Sequence, residues 1–404
     1  MGDDLAEASV VSPLRQQVAR AARVIFPFVV LVVLVDQWPF LTKTFDRGQV
    51  FGRDAYNLWT AGRLALEGRT GDIADSAAFA RVLAEALGPE SNSALSLFLY
   101  PPPALLFVAP FGWLPYPVVL ALWSILGAAC FVMAVGLPRL ERPLVVLALV
   151  APMTLVNLVL GQNGLFSAAL FIGGLRLAGS RPVFAGVLIG LLAYKPMMGC
   201  LLPLVFVVQR QWRVVLTAGA TLALACFLPV LFWGPEVWSD YLEKTVPLGR
   251  NFLEHGTGIG GAMRLTPFTA MRLLGAEVGA SYGVQAAVSL VSVGLCLVYL
   301  LRRGPRANLD GLDILVFSAA TALVVPYLHF YDLAVITGGL ILMWRDDAGA
   351  SARLLRNGVV PLLWYLPLLG VMLNLVGLPL APVALIACLA LLVFQPMPAA
   401  ALPP

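Results

Sequence analysis

PPPALLFVAPFGWLPYPVVLALWSILGAACFVMAVGLPRLERP, residues 101–143, carries no charged side chain from Pro101 to Gly136 and then meets Arg139, Glu141 and Arg142 in quick succession. A helix needs about 20 mostly apolar residues to cross the hydrocarbon core of a bilayer, and in lipid only a helix or a closed barrel satisfies its own backbone. The stretch therefore reads as membrane helix. Short loops rich in Lys and Arg stay on the cytoplasmic side, which places the loop from Pro138 to Pro143 inside. The segment 101–136 must then cross an odd number of times. One crossing is expected, preceded by a short interfacial or re-entrant piece and punctuated at Leu114-Pro115-Tyr116-Pro117.

Apolar stretches of this kind recur from Val24 to Phe394, and the chain is 60% hydrophobic and 12% charged, against about 45–50% and about 25% in a soluble domain. The expected fold is an all-α polytopic membrane protein, one domain over residues 1–404, with membrane lipids as its surroundings. A net charge of +4 implies no nucleic-acid partner. Cys130, Cys200, Cys226, Cys296 and Cys388 all sit in apolar runs without C-x-x-C spacing, which points to packing and not to metal or redox chemistry. Arg15, Arg20 and Arg23 precede a first, uncleaved span from about Arg23 to Phe40, with the N-terminus cytoplasmic.

Five basic clusters then fix the topology: Arg139/Arg142, Arg176/Arg181, Arg210/Arg213, Arg302/Arg303/Arg306 and Arg345/Arg353/Arg356. Placing all five in the cytoplasm puts Gly161-Gln162-Asn163-Gly164, Tyr194-Lys195-Pro196, segment 234–282 and Leu328-His329-Phe330-Tyr331-Asp332 on the periplasmic face. The first periplasmic loop, 41–99, joins them. Within it Phe79, Val82, Leu83, Ala86 and Leu87 share one helical face, predicting an amphipathic helix lying on the membrane surface. Later spans are expected near 283–302, 311–327, 330–344, 357–376 and 379–395, for about eleven or twelve segments. Segment 183–208 is too short for two spans, so Lys195-Pro196 marks a broken pair of half-helices. The tail, 396–404, reads as a frayed cytoplasmic end.

Polar residues at membrane depth are costly, and each is a functional candidate. Asp54 follows the first span and precedes an amphipathic helix, where a carboxylate can act as a general base in a partly desolvated site; the alternative is a helix N-cap. Asp36 is its nearest rival, with interfacial termination of the first span as the plainer role. Lys195, surrounded by apolar residues, needs a strong partner such as a phosphate, or else snorkels to the interface. Gln162 and Asn163 either offer amides to sugar hydroxyls or simply turn the chain. His329, Tyr331 and Asp332 gather acid, base and donors in one turn, with Asp332 alternatively an N-cap for the next span. His255 reads as part of an acceptor-side loop. Two histidines without H-E-x-x-H spacing make a zinc site improbable.

Taken in order, several motifs resemble glycosyltransferase family 87, also catalogued as domain of unknown function 2029, within the GT-C superfamily of membrane sugar transferases. They are Asp54-Ala-Tyr56 with its helix to Gly68, Tyr100-Pro-Pro-Pro with Leu114-Pro115, Gly161-Gln162-Asn163, Ala185-Gly186-Val187-Leu188-Ile189-Gly190 running into Lys195-Pro196, and Gln209-Arg210-Gln211-Trp212-Arg213. The resemblance implies a GT-C-type fold with amphipathic juxtamembrane helices in the first periplasmic loop. It implies metal-independent, inverting transfer of a mannose or another hexose or pentose from a polyprenyl-phosphate donor to a lipid or glycan acceptor. It makes Asp54 the base, matches His329 to a periplasmic-side histidine near the later spans, and assigns Lys195 with His329 to the donor phosphate. Tyr56, Tyr100, Gln162, Asn163, Tyr331 and Asp332 become substrate-binding, and the apolar stretch from Tyr100 to Phe111 a groove for the lipid chain. Two other classes compete: a transporter or flippase of lipid-linked sugars, motivated by the broken helix at Lys195-Pro196, and a polymerase or ligase of lipid-linked glycans. The site is expected at the periplasmic face of a bacterial inner membrane.

Overall fold

The computed structural model describes residues 52–87, 97–136 and 141–395. The first span with Asp36, the loop residue Arg139 and the tail 396–404 lie outside these residues.

The described chain is helical, and its single β-bridge joins Arg264 to His329. It opens on α1 (Arg53–Leu66), α2 (Thr70–Ala74) and α3 (Ser76–Leu87). In α3, Phe79 and Leu83 of the predicted face are turned inward, each 1% exposed. Next come α4 (Pro103–Val108), a 3₁₀ turn at Ala109–Phe111, and α5 (Tyr116–Gly136). This is the expected short piece followed by one long apolar helix; prolines at 110, 115 and 117 divide the two because each removes a backbone donor.

A bent pair follows, α6 (Arg142–Val150) and α7 (Pro152–Leu160), turning by 55° at Ala151. After the turn at Gly161 to Asn163 runs α8 (Gly164–Leu177). The segment around Lys195 is broken as expected. Helix α9 (Pro182–Gly190) tightens into 3₁₀ turns at Leu191–Tyr194 and Pro196–Gly199 before α10 (Leu202–Val208) resumes. Helix α11 (Trp212–Trp233) is long and little buried, as a lipid-facing span is.

The second polar segment holds α12 (Glu236–Asp240), a π-helical turn, α13 (Val246–His255), α14 (Gly258–Ala262) and α15 (Pro267–Leu273). Then come α16 (Val278–Arg303), α17 (Gly311–Val324), α18 (Ala334–Asp346), α19 (Ala348–Arg356), α20 (Val359–Leu375) and α21 (Ala381–Val393). Among the described residues α5, α11 and α16 are each long and apolar enough to cross a membrane alone, and the bent pairs α6–α7 and α19–α20 qualify as broken spans. The chain is a multi-pass membrane protein. Its central helix, α17, is buried on every side from Gly311 to Leu323, the pattern of an element surrounded by others.

Two apolar cores result. The larger joins α5 to α10 with α16 to α21; the smaller packs α1, α3 and α4 against Trp123, Tyr194 and Val237.

The bundle has two chemically distinct poles. Helices α8, α17 and α18 each run from one to the other. At the first pole lie the start of α8, the end of α17 and the start of α18; at the second the basic clusters meet acids and carbonyls. Arg176 pairs with Asp346 at 2.7 Å, Arg303 with Asp310 at 2.6 Å, and Arg306 with Asp313 at 2.5 Å. Gln211 donates to the carbonyls of Arg306 and Ala307, and Arg345 to that of Val135. Among the described residues Arg176, Arg303, Arg306 and Arg345, from three of the basic clusters in the sequence, thus occupy one end of the molecule.

Candidate active site

At the opposite pole a cavity of about 350 Å³ is lined by Arg53, Asp54, Tyr100, Gln162, Tyr194, Lys195, His329 and Tyr331, with Asn57, Tyr241, Phe252, Met263 and Tyr327. Asp54 stands at the second position of α1. The helix is preceded by Gly52 at φ 71°, with no side-chain cap, so Asp54 is not the N-cap; its carboxylate sits in the first turn, where the helix dipole favours negative charge. The Tyr116 hydroxyl donates to the Gly52 carbonyl at 2.9 Å and pins the turn.

Gly161 closes α7 at φ 67°, and a β-carbon there would stand 2.5 Å from that of Ala55. Glycine therefore lets the turn press against the first turn of α1. That approach brings the Gln162 side chain beside Asp54, where it opposes the rise in the carboxyl's pKa. Arg53 lies 3.8 Å from the same carboxylate. Burial raises the Asp54 pKa above its ordinary value, and Arg53, the Gln162 hydrogen bond and Lys195 oppose the rise without cancelling it.

Lys195 occupies the break between the 3₁₀ turns at φ −145°. Its ammonium is not alone: it meets Asp332 at 2.5 Å and donates to the Asn163 amide oxygen at 3.0 Å, with the two charged side chains 3% and 0% exposed. Asn163 in turn donates to the Tyr100 hydroxyl at 2.8 Å. The ammonium also lies 5.3 Å from the centre of the Tyr331 ring and 6.0 Å from that of Tyr100, distances at which an aromatic face stabilises a cation. The strong partner predicted for Lys195 is thus an internal carboxylate. Asp332 also receives the His329 amide at 3.4 Å, and it is absent from the cavity wall. Its place is behind Lys195, with which it pairs.

His329 stacks on Tyr331 at 5.1 Å with ring planes 6° apart, and Tyr327 meets it edge-on at 5.3 Å. Burial, then Arg264 and Lys195, push its pKa down to about 3, so the imidazole is neutral at physiological pH. The turn is held from α7, where Asn157 donates to the Tyr331 carbonyl at 3.0 Å.

Tyr56 falls elsewhere. It is 7% exposed and packs edge-on against Tyr116 at 4.9 Å and beside Trp59 at 5.3 Å, away from the cavity wall; its place is in the smaller core. His255 is exposed at the end of α13 and does not line the cavity. Sequence reasoning missed Arg53, Asn57, Phe252, Met263, Tyr327 and the supporting Asn157. Arg53 adjoins Asp54, and that adjacency was the one available signal. Among the described residues no group of three His, Cys, Asp or Glu side chains is placed to hold a metal ion.

A second, apolar groove of about 880 Å³ opens beside the cavity. Leu58, Tyr100 and Tyr194 line both; the groove continues past Ala104, Phe107, Phe111, Phe166 and Ala169 to Leu177, Ser180 and Arg181. From Phe166 to Leu177 along α8 that is about 17 Å at the helical rise. Five residues of the predicted lipid-accepting stretch, Tyr100, Ala104, Phe107, Val108 and Phe111, line the groove, and α5, α8 and α9 supply most of the rest of its wall.

The model of Glycosyltransferase family 87 matches residues 98–326. The chain is 28% identical over 299 residues, 66% of its length and 67% of the relative's, to a polyprenol-phosphate-mannose-dependent alpha-(1-2)-phosphatidylinositol mannoside mannosyltransferase of Mycobacterium tuberculosis. No solved structure matches it.

Proposed function

The chain belongs to glycosyltransferase family 87, and from that premise we propose that it moves one sugar from a polyprenyl-phosphate donor to a hydroxyl of a lipid or glycan acceptor, with inversion and without a metal. The observation that carries this reading is the junction at Tyr100 and Tyr194, where a polar cavity holding a carboxylate opens into an apolar groove. A donor with a sugar-phosphate head and an isoprenoid tail has both characters in one molecule. The relative is named for a polyprenol-phosphate-mannose donor and a phosphatidylinositol mannoside acceptor, and we extend the same kinds of donor and acceptor, mannose or another hexose, to this chain.

In the proposed reaction the acceptor oxygen attacks the anomeric carbon from the face opposite the phosphate. The carbon–oxygen bond to phosphate breaks, its electron pair leaves on the phosphate, and the acceptor proton passes to Asp54. One negative charge thereby moves from the carboxylate to the departing lipid phosphate. A base whose pKa is raised toward the working pH suits proton removal. The donor phosphate rests near Lys195 and neutral His329, Tyr331 and Gln162 orient the sugar, and the tail follows the groove.

The basic pole is assigned to the cytoplasm by the positive-inside rule, which directs the cavity to the periplasmic face of the inner membrane. The break at Lys195 stands level with the helix ends at Asn163 and Asp332, whereas transporter sites on broken helices lie near the bilayer midplane; this favours transfer over transport. The test is purified protein in proteoliposomes given a polyprenyl-phosphate-mannose and, in parallel, a preassembled glycan-lipid. Consumption of the monosaccharide donor, lost in Asp54→Asn and unaffected by a chelator, is the expected result. Turnover retained in that variant overturns the role of Asp54, and consumption of the glycan-lipid alone favours a polymerase.

A further inference from the structure

Arg264 follows the glycine-rich α14 and is 1% exposed. Its Nη1 and Nη2 donate to the carbonyls of Phe252 and Gly256 at 2.8 and 3.1 Å, while its Nε has no hydrogen-bond partner. No carboxylate acts on it among the described residues. A guanidinium buried without a counter-ion is costly, and a cap for the carbonyls ending α13 does not require so complete an enclosure.

Its location gives the charge a use. The Arg264 backbone bridges to His329, and Phe330 donates to the Met263 carbonyl at 2.9 Å. The guanidinium lies 4.9 Å from the centre of the Phe252 ring, and Phe252, Met263, Tyr327 and His329 are all cavity wall. Around that cavity Asp54 answers Arg53 and Asp332 answers Lys195. Among the described residues the guanidinium of Arg264 is the remainder, one positive charge held immediately behind the wall.

We propose that Arg264 is a positioning residue whose uncompensated charge acts through the His329 wall on a phosphate group in the cavity, stabilising it most when it becomes a dianion. The inference rests on the transfer reading above. A diester phosphate carries one negative charge and the released monoester carries two, so a fixed cation enclosed in low dielectric favours the product-like charge distribution over the starting one. It raises the rate of the chemical step more than the affinity for donor.

Charge and hydrogen bonding separate in two substitutions. Arg264→Lys keeps the charge and loses the fork that reaches both carbonyls; Arg264→Gln keeps a donor and loses the charge. With full-length protein in nanodiscs, the expected result is kcat lowered at least about tenfold in the Gln variant, with KM for a polyprenyl-phosphate-mannose little changed and much of kcat restored in the Lys variant. Gln active and Lys inactive overturns the proposal in favour of a carbonyl cap. A second measurement needs no variant: ³¹P titration of farnesyl phosphate bound to the wild-type protein. A second phosphate pKa below its usual ~6 is expected, and an unshifted value overturns the proposal, as does a lowered value that persists in Arg264→Gln. Failure of the wild-type protein to transfer sugar from any polyprenyl-phosphate donor defeats the transfer reading itself, and is distinguished by occurring before any variant is compared.

Discussion

Lys195 and Asp332 meet at 2.5 Å with almost no exposure, so each supplies the solvation the other lost. Removing one partner strands a buried charge, at a cost of about 3–5 kcal/mol. Lys195→Met is therefore expected to lower the thermal midpoint sharply, whereas Lys195→Met with Asp332→Leu recovers most of the stability and none of the transfer; equal destabilisation in both would contradict the pairing. At Asp54 burial raises the pKa and Arg53 is the leading opposing influence. The base must be ionised to work, so activity falls on the acid side at a higher pH than an ordinary carboxylate would give, and Arg53→Gln should move that limb higher still in a pH–rate profile. His329, held near 3, should add no limb around pH 6.5, the usual imidazole value; an inflection there that vanishes in His329→Gln would refute its neutrality. The sequence marked Asp54, Lys195 and His329 because each is a polar group in apolar surroundings. It left Asp332 ambiguous, because nothing local reveals which ammonium a carboxylate from the other half of the chain will meet.

At the level of elements, the site is assembled by breaks. α1 begins at a left-handed glycine, α7 ends at another, the span through Lys195 is interrupted, and α18 starts late behind a 3₁₀ turn. Gly161 couples two of these. Gly161→Ala places a methyl against Ala55 and holds alanine in a left-handed conformation, which costs about 1–2 kcal/mol before any clash. The α7 turn must back away from α1, carrying Gln162 from Asp54. Reduced kcat with intact membrane insertion is the expected outcome, measured against the same donor; unchanged kcat would show that the two turns need not touch. Segment length revealed the break at Lys195-Pro196, and proline spacing revealed the short piece before α5. The sequence did not distinguish Tyr56 from a ligand, because Tyr116, which closes over it edge-on, is recognisable as a partner only once α1 lies on α5.

For the whole molecule, polarity sorts the bundle: ion-paired arginines at one pole, the cavity at the other, and the apolar groove between them. Exposed Ser180 and exposed His255 belong to opposite sides of the proposed topology, so Ser180→Cys should react with an impermeant thiol reagent only from the cytoplasm and His255→Cys only from the periplasm. Labelling of both from one side would undo the orientation. Filling the groove midway, with Ala169→Phe, is expected to raise KM for a long-chain donor severalfold while sparing a short-chain one; equal effects on both would detach the groove from the lipid tail.

Charge and hydropathy by themselves determined that this chain is a helical membrane protein, which arginines share an end, and which polar residues face the other way, because the cost of placing charge in hydrocarbon acts on each residue where it stands. Only the tertiary structure decided that Lys195 is answered by Asp332, that Gln162 comes beside Asp54, that Tyr56 is core, and that among the described residues no acid stands beside Arg264. Those are contacts between residues distant in the chain, and they exist only after the helices have packed.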